Sequence, residues 1–404
     1  MEQATSNPNS RGPPPVSPMS TLPIEVLDQV ITEVVTENRS AISTLMCLSQ
    51  FWHDVIVQRP LLWAKVELNL SRSEESFSLS YRVAQRCIDR SGSVDLDVTI
   101  RIQRGTGSCP CARIFDNCAK CGEWTSTNRA VLEILSGSQG EHLARWKSLV
   151  VFHENEWSKY RARWVVEVIS PVLSLGGTPR LRVLLLVGSF PGQIVLHHTP
   201  LLENLSFPGA RDVSVSNTSH VRKLAFRNAL PVRLSTAPFI ALTHLILHVP
   251  IHCSKVELPN VTSLDLIDGE IEELSLELPI LPRVQRISVI TYMDDFLPQL
   301  HMNHYLTWKS FCLRYGSVRP GLLPSDKFIE DAIAFITSSC SHLEELDIDH
   351  WFISTVKANV HHLPKLKRIL VLGQELEKKY WYQSSLPSDH VLIDNTSTLP
   401  LVTM

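Results

Sequence analysis

Leu242-Thr243-His244-Leu245-Ile246-Leu247 and, a little further on, Val261-Thr262-Ser263-Leu264-Asp265-Leu266 share one pattern, with apolar residues at the first, fourth and sixth positions. Leu181-Arg182-Val183-Leu184-Leu185-Leu186 and Leu343-Glu344-Glu345-Leu346-Asp347-Ile348 repeat it. Units of this kind start at Trp146, Leu181, Leu202, Val221, Leu242, Val261, Ile271, Val284, Trp308, Leu343 and Leu366. From Leu202 through Val221 and Leu242 to Val261 the intervals are 19, 21 and 19 residues, enough for one short strand and a return connection that stacks in parallel on the next unit. The series then loses its regularity. Ile271 follows Val261 after 10 residues, and the steps from Val284 to Trp308 and on to Leu343 are 24 and 35, leaving room for helices such as 328–336.

Side chains alternate along a strand, so the third, fifth and seventh positions of each unit leave the core and form one face. That face carries Lys223 and Arg227, His244 and His248, Asp265, Glu273 and Glu277, then Arg286, Arg314, and finally Glu345, Asp347 and Asp349. Two readings stand. The charges are a solvated face with no ligand, or they are a target-binding surface, basic near its start and acidic near its end, that selects a protein by complementary charge.

Outward from this region, the 404-residue composition sets bounds. With 44% apolar residues the chain has ample material for a core, which excludes a disordered protein or one small module. The 38 Lys+Arg against 41 Asp+Glu give a formal charge of -3, so no global attraction to nucleic acid or to an anionic membrane is expected. The best apolar run, Leu181 to Val187, contains Arg182 and is far shorter than a bilayer span. Residues 1–20 hold Pro13-Pro14-Pro15 and many polar residues but no apolar h-region, and read as a flexible leader. A cytoplasmic or nuclear protein with reduced thiols is the expectation, the nine Cys being an odd number.

The fold is expected to begin at Leu22. Val26, Leu27, Val30, Ile31 and Val34 recur at helical spacing behind Pro23, which suits a first turn. Two shorter periodic segments follow, Ile42-Leu45-Met46-Leu48 and Phe51-Trp52-Val55-Ile56, stopped by Pro60. Three helices in so few residues cannot hide all their apolar side chains, so a face is left for a partner.

The string Leu22-Pro23-Ile24-Glu25-Val26-Leu27, with Val30-Ile31, Leu45, Leu48-Ser49-Gln50-Phe51-Trp52 and Pro60-Leu61-Leu62-Trp63, resembles an F-box, the helical motif that docks on the Skp-type adaptor of cullin-based ubiquitin ligases. Thr36-Glu37-Asn38-Arg39-Ser40 stands where F-boxes often have an Asp-Pro turn. Val66-Glu67-Leu68, a helical stretch near Val83–Ile88, Ser91-Gly92 and the alternating run Val94-Asp95-Leu96-Asp97-Val98 extend the resemblance to the large fungal F-box families. In those families a degenerate leucine-rich-repeat-like region follows. Here the Asn or Cys of such repeats is replaced by residues such as Ser189, Pro250 and Gly269, so stacked strands without a uniform horseshoe are expected. The resemblance implies a non-enzymatic substrate receptor. Leu22, Pro23, Val26, Leu27, Val30, Ile31 and Trp52 would contact the adaptor, and through it a cullin, while the repeats would hold an unknown target protein. A protein-interaction scaffold outside a ligase, or an adaptor-bound protein not engaged with cullin, is the alternative.

The expected architecture is therefore α/β: leader 1–20, three-helix F-box 21–65, a linking α/β region 66–145 with a Cys-rich insertion 105–122, an irregular leucine-rich-repeat-like solenoid with a parallel sheet over 146–380, and a tail 381–404. Cys109, Cys111, Cys118 and Cys121 in the insertion could close a structural zinc site, and no other cofactor is expected; the alternative is a flexible loop with free thiols. His197-His198 and His361-His362 read as surface residues, and Lys159 to Trp164 as the wet side of a helix. No nucleophile elbow, phosphate loop, zinc-protease helix or dinucleotide fingerprint is present.

Overall fold

The computed structural model describes residues 22–37, 41–70, 74–102, 119–153, 169, 171–173, 175–187, 193–196, 198–207, 212–215, 217–228, 239–252, 256–267, 276–291, 308–315, 324–339, 342–372 and 374–376. It divides into two compact units.

One unit comprises the chain to Lys65 together with Arg86–Val94. Helix α1 (Ile24–Glu37) starts where Pro23 offers its carbonyl to the amides of Val26 and Leu27. Helices α2 (Ala41–Leu48) and α3 (Gln50–Val57) follow, and the Ser49 hydroxyl accepts from the Trp52 amide at 3.3 Å, an N-cap that satisfies one orphan donor of α3. Pro60 opens α4 (Pro60–Ala64) at a position where its missing N–H costs nothing. The Trp63 indole donates to the Ile56 carbonyl at 3.0 Å and lies under the Arg90 guanidinium at 4.4 Å, and Arg59 pairs with Asp28. The helical expectation for this stretch holds, with α4 as an addition.

The other unit, Val66–Gln85 and Asp95 onward, is built on a 14-stranded sheet. Its strands are β1 (Lys65–Leu70), β2 (Leu96–Ile102), β3 (Trp146–His153), β4 (Val183–Val187), β6 (Asn204–Phe207), β8 (Lys223–Asn228), β9 (His244–His252), β10 (Ser263–Ile267), β12 (Arg286–Thr291), β13 (Ser310–Tyr315), β14 (Glu345–Ile348), β15 (Arg368–Val371) and β16 (Gln374–Leu376) in that spatial order, with β11 (Leu276–Glu277) beside β9. Twelve strands of the main path run parallel, β11 joins β9 in parallel, and β16 returns antiparallel on β15. A separate two-stranded parallel sheet joins β5 (Gln193–Leu196) to β7 (Asp212–Val215). The class is α/β. Helix α5 (Glu74–Ser91) connects β1 to β2, and α6 (Ala119–Ser136) precedes β3. Within the region 66–145, β1 and β2 belong to the sheet that holds β3, while Arg86–Val94 belongs to the first unit. The strand expected from Val94 begins at Leu96.

The fourth positions lie in register from strand to strand: Leu149, Leu184, Leu205, Leu224, Leu245, Leu264, Ile287, Phe311, Leu346 and Ile369. All are buried, and each contributes roughly 1.5 to 3 kcal/mol through removal from water. A second regularity sits at the start of most units. The amide of the first position donates to the carbonyl three residues earlier in Thr178-Pro179-Arg180-Leu181, Thr199-Pro200-Leu201-Leu202, Leu258-Pro259-Asn260-Val261, Leu281-Pro282-Arg283-Val284 and Leu363-Pro364-Lys365-Leu366. Proline presets φ for the second residue of such a turn. The amide of the second position then donates to the carbonyl of its counterpart one unit back, unbroken from Arg182 on Lys147 to Lys367 on Glu344.

The long step between Trp308 and Leu343 contains the expected helix, α7 (Asp326–Ser339), followed after β14 by α8 (Ile353–Asn359). Phe311 meets Trp308 at 5.1 Å and Phe335 at 5.9 Å, and Phe328 meets Tyr315 at 5.2 Å and Phe352 at 5.9 Å, so aromatic rings join α7 to β13. The short step at Ile271 has a different outcome. Leu276 and Glu277 of β11 pair with Ile251 and His252 at the far end of β9, so the described end of this copy lies off the main path.

Candidate binding face of the parallel sheet

Register brings the third positions into one row, Val183, Asn204, Lys223, His244, Ser263, Arg286, Ser310, Glu345 and Arg368. The fifth positions form a second row that includes Ser206, Ala225, Ile246, Asp265, Ser288, Cys312 and Asp347. His248, Ile267, Ile290 and Arg314 make a third. The open, evenly solvated face expected from alternation is corrected in one respect. Ser206, Ala225, Ile246, Ser288, Cys312 and Asp347 are buried, whereas the flanking rows are half-buried or exposed. Strands stand about 4.8 Å apart, so side chains in the middle row are shielded by neighbours on every side.

The acidic end departs further from expectation. Arg314 reaches Asp347 at 2.7 Å and Asp349 at 3.7 Å, and the Asp349 carboxylate also accepts from the Tyr315 amide at 2.7 Å. Asp347 and Asp349 are buried and share the Arg314 guanidinium, not presented as free acids. Burial pushes the Asp349 carboxyl up to about 6, with the Tyr315 amide and Arg314 pulling the other way. Burial also tends to lower Arg314, but the hydrogen bond and attraction of Asp347, with the attraction of Asp349, hold the guanidinium charged. The Cys312 thiol lies 3.8 Å from Asp347 and is pushed up to about 11 by burial, so it is protonated at neutral pH and is no nucleophile. Glu345 accepts from Ser310 at 3.0 Å and pairs with Arg368. Asp265 holds the His244 ring at 2.7 Å. Each of these carboxylates is engaged, with Asp347 and Asp349 sharing Arg314.

Lys223 and Arg286 differ. Lys223 is half-buried and Arg286 exposed, and neither has a carboxylate partner among the described residues. Arg227 and Glu277 lie on β8 and β11 without description of their side chains, and Glu273 lies outside the described residues. The zinc reading also falls outside them: Cys109, Cys111 and Cys118 are not described, and Cys121 is placed only as part of α6. Among the described residues no cluster of His, Cys, Asp and Glu could hold a metal ion. His198, His361 and His362 are exposed.

On α1 the residues expected to meet an adaptor divide into two sets. Val26 and Val30 are 44% and 41% exposed, and Leu22 and Pro23 are exposed with them. Leu27 and Ile31, at 2% and 1%, are core residues, as is Trp52, so these three are corrected from contact to support. Val34 continues the outer stripe at the next turn, and Leu48 and Leu61 are exposed nearby in sequence, a signal that periodicity alone could not separate from core positions.

No family model matches the chain, and no curated protein matches it at a significant level. Among the described residues no helix is long and apolar enough to cross a membrane.

Proposed function

We propose that the chain is the substrate-recognition subunit of a cullin-RING ubiquitin ligase of the SCF type. Its N-terminal helices are an F-box that docks on a Skp-type adaptor, and its sheet is an irregular leucine-rich-repeat-like solenoid that holds a target protein. The observation that carries the reading is the outer stripe of α1. A helix that buries Leu27 and Ile31 needs no further apolar residues, yet Val26, Val30 and Val34 repeat at i, i+4 and i+8 on the solvent side. That stripe belongs to the string, Leu22 to Leu27 and on through Ile31, that resembles an F-box.

The sheet supports the second half of the proposal. Units of about twenty residues over 202–284, joined by tight turns, some of them with Pro, and by a continuous backbone ladder, expose a row of polar side chains on one face. In this role the chain supplies proximity and not chemistry: holding the target beside the activated ubiquitin raises its effective concentration. A protein working in a cytoplasmic or nuclear ligase fits this role. Affinity purification of the tagged chain with mass spectrometry tests it. Recovery of both a Skp-type adaptor and a cullin supports the receptor. Recovery of the adaptor without cullin favours a scaffold outside the ligase, and recovery of neither ends the proposal.

A further inference from the structure

We infer that the third-position run Lys223, His244, Ser263 and Arg286 receives an acidic, extended segment of the bound protein. This rests on the receptor reading above and adds the chemistry of the partner. The four residues occupy adjacent strands in register, Lys223 opposite His244, His244 opposite Ser263, and Ser263 opposite Arg286.

Charge accounting gives the sign. The described acids of this face are already engaged within it, Asp347 and Asp349 sharing one guanidinium. Asp265 is held by His244, Glu345 by Arg368 and Ser310, and Asp347 and Asp349 by Arg314. Lys223 and Arg286 are left with no carboxylate partner among the described residues, and both reach solvent. A ligand that brings carboxylates to them gains two ion pairs without breaking an existing one. A basic ligand would have to compete with Arg368 for Glu345 or with Arg314 for Asp347 and Asp349, and displacing Arg314 would leave a half-buried cation behind.

Geometry gives the spacing. Lys223 and Arg286 are three strand steps apart, roughly 14 Å at ~4.8 Å per step. An extended chain advances roughly 3.4 Å per residue, so it presents two carboxylates at that separation when they are four residues apart. His244 and Ser263 lie between and offer polar groups to the intervening backbone.

An oriented library of synthetic extended peptides, captured on the immobilised full-length chain, tests this. The expected result is at least five-fold enrichment of Asp or Glu at two positions four residues apart, lost in 0.5 M salt and lost in the Lys223→Gln/Arg286→Gln variant. Lys223→Glu/Arg286→Glu should reverse the preference toward Lys and Arg, and both variants should unfold at the wild-type temperature. Absence of any captured peptide, acidic enrichment unchanged in the folded variants, or enrichment of phosphoserine with none of Asp or Glu would overturn the inference. Adaptor co-purification from the same preparations reads the receptor proposal separately, because neither substituted residue lies in the N-terminal unit.

Discussion

Arg314 sits between two buried carboxylates, at 2.7 Å from Asp347 and 3.7 Å from Asp349. Removing it strands both charges, so Arg314→Ala should destabilise the protein by about 3 kcal/mol in chemical denaturation. Asp349 contributes in the opposite sense to most acids. Its folded pKa of about 6 stands above its ordinary value of 3.8, so between these limits the folded state holds the proton more tightly than the unfolded chain. The stability it confers is complete below pH ~3.8 and is lost as pH rises through about 6. Thermal unfolding followed across this window should show wild type falling relative to Asp349→Asn as pH increases; parallel curves would mean that Asp349 does not titrate there. The thiols give a third check at this scale. Cys47 is exposed and should be alkylated in the native protein, whereas Cys312, buried and protonated, should react only after unfolding.

Among the elements, α1 shows why a helix with apolar residues on two sides is ambiguous from sequence. Leu27 and Ile31 follow the same spacing as Val26 and Val30, and periodicity does not say which stripe faces inward. Leu27→Asp should therefore unfold the N-terminal unit and lower its thermal midpoint, while Val26→Asp should leave it within about 0.5 kcal/mol of wild type. The strands were more legible: ten of the units that start with an apolar residue, from Trp146 to Leu366 and excepting Ile271, fall on β3, β4, β6, β8, β9, β10, β12, β13, β14 and β15. Helix α7 was legible from the long gap it fills. The Thr-Pro-x-Leu and Leu-Pro-x-Val turns mark unit starts in the sequence too, but a 1-4-6 apolar pattern does not use them. The shielding of the fifth positions and the pairing of Arg314 with Asp347 and Asp349 depend on which strands become neighbours, which no local pattern contains.

At the level of the whole molecule, each strand is hydrogen-bonded to the next unit, so stability is passed between neighbours. Leu264→Ala should cost about 2 to 5 kcal/mol, and hydrogen exchange should accelerate most in β9, β10 and β12. The two proposed docking surfaces belong to different units and share no residue, so their substitutions should act independently. The most direct measurement is a calorimetric titration of the purified full-length chain with a recombinant Skp-type adaptor, repeated with Val26→Asp/Val30→Asp. Sub-micromolar binding by wild type, weakened at least a hundred-fold (about 2.7 kcal/mol) in a variant with the wild-type unfolding temperature, is the expected result. No heat of binding with wild type, or equal affinity for both proteins, would contradict the account.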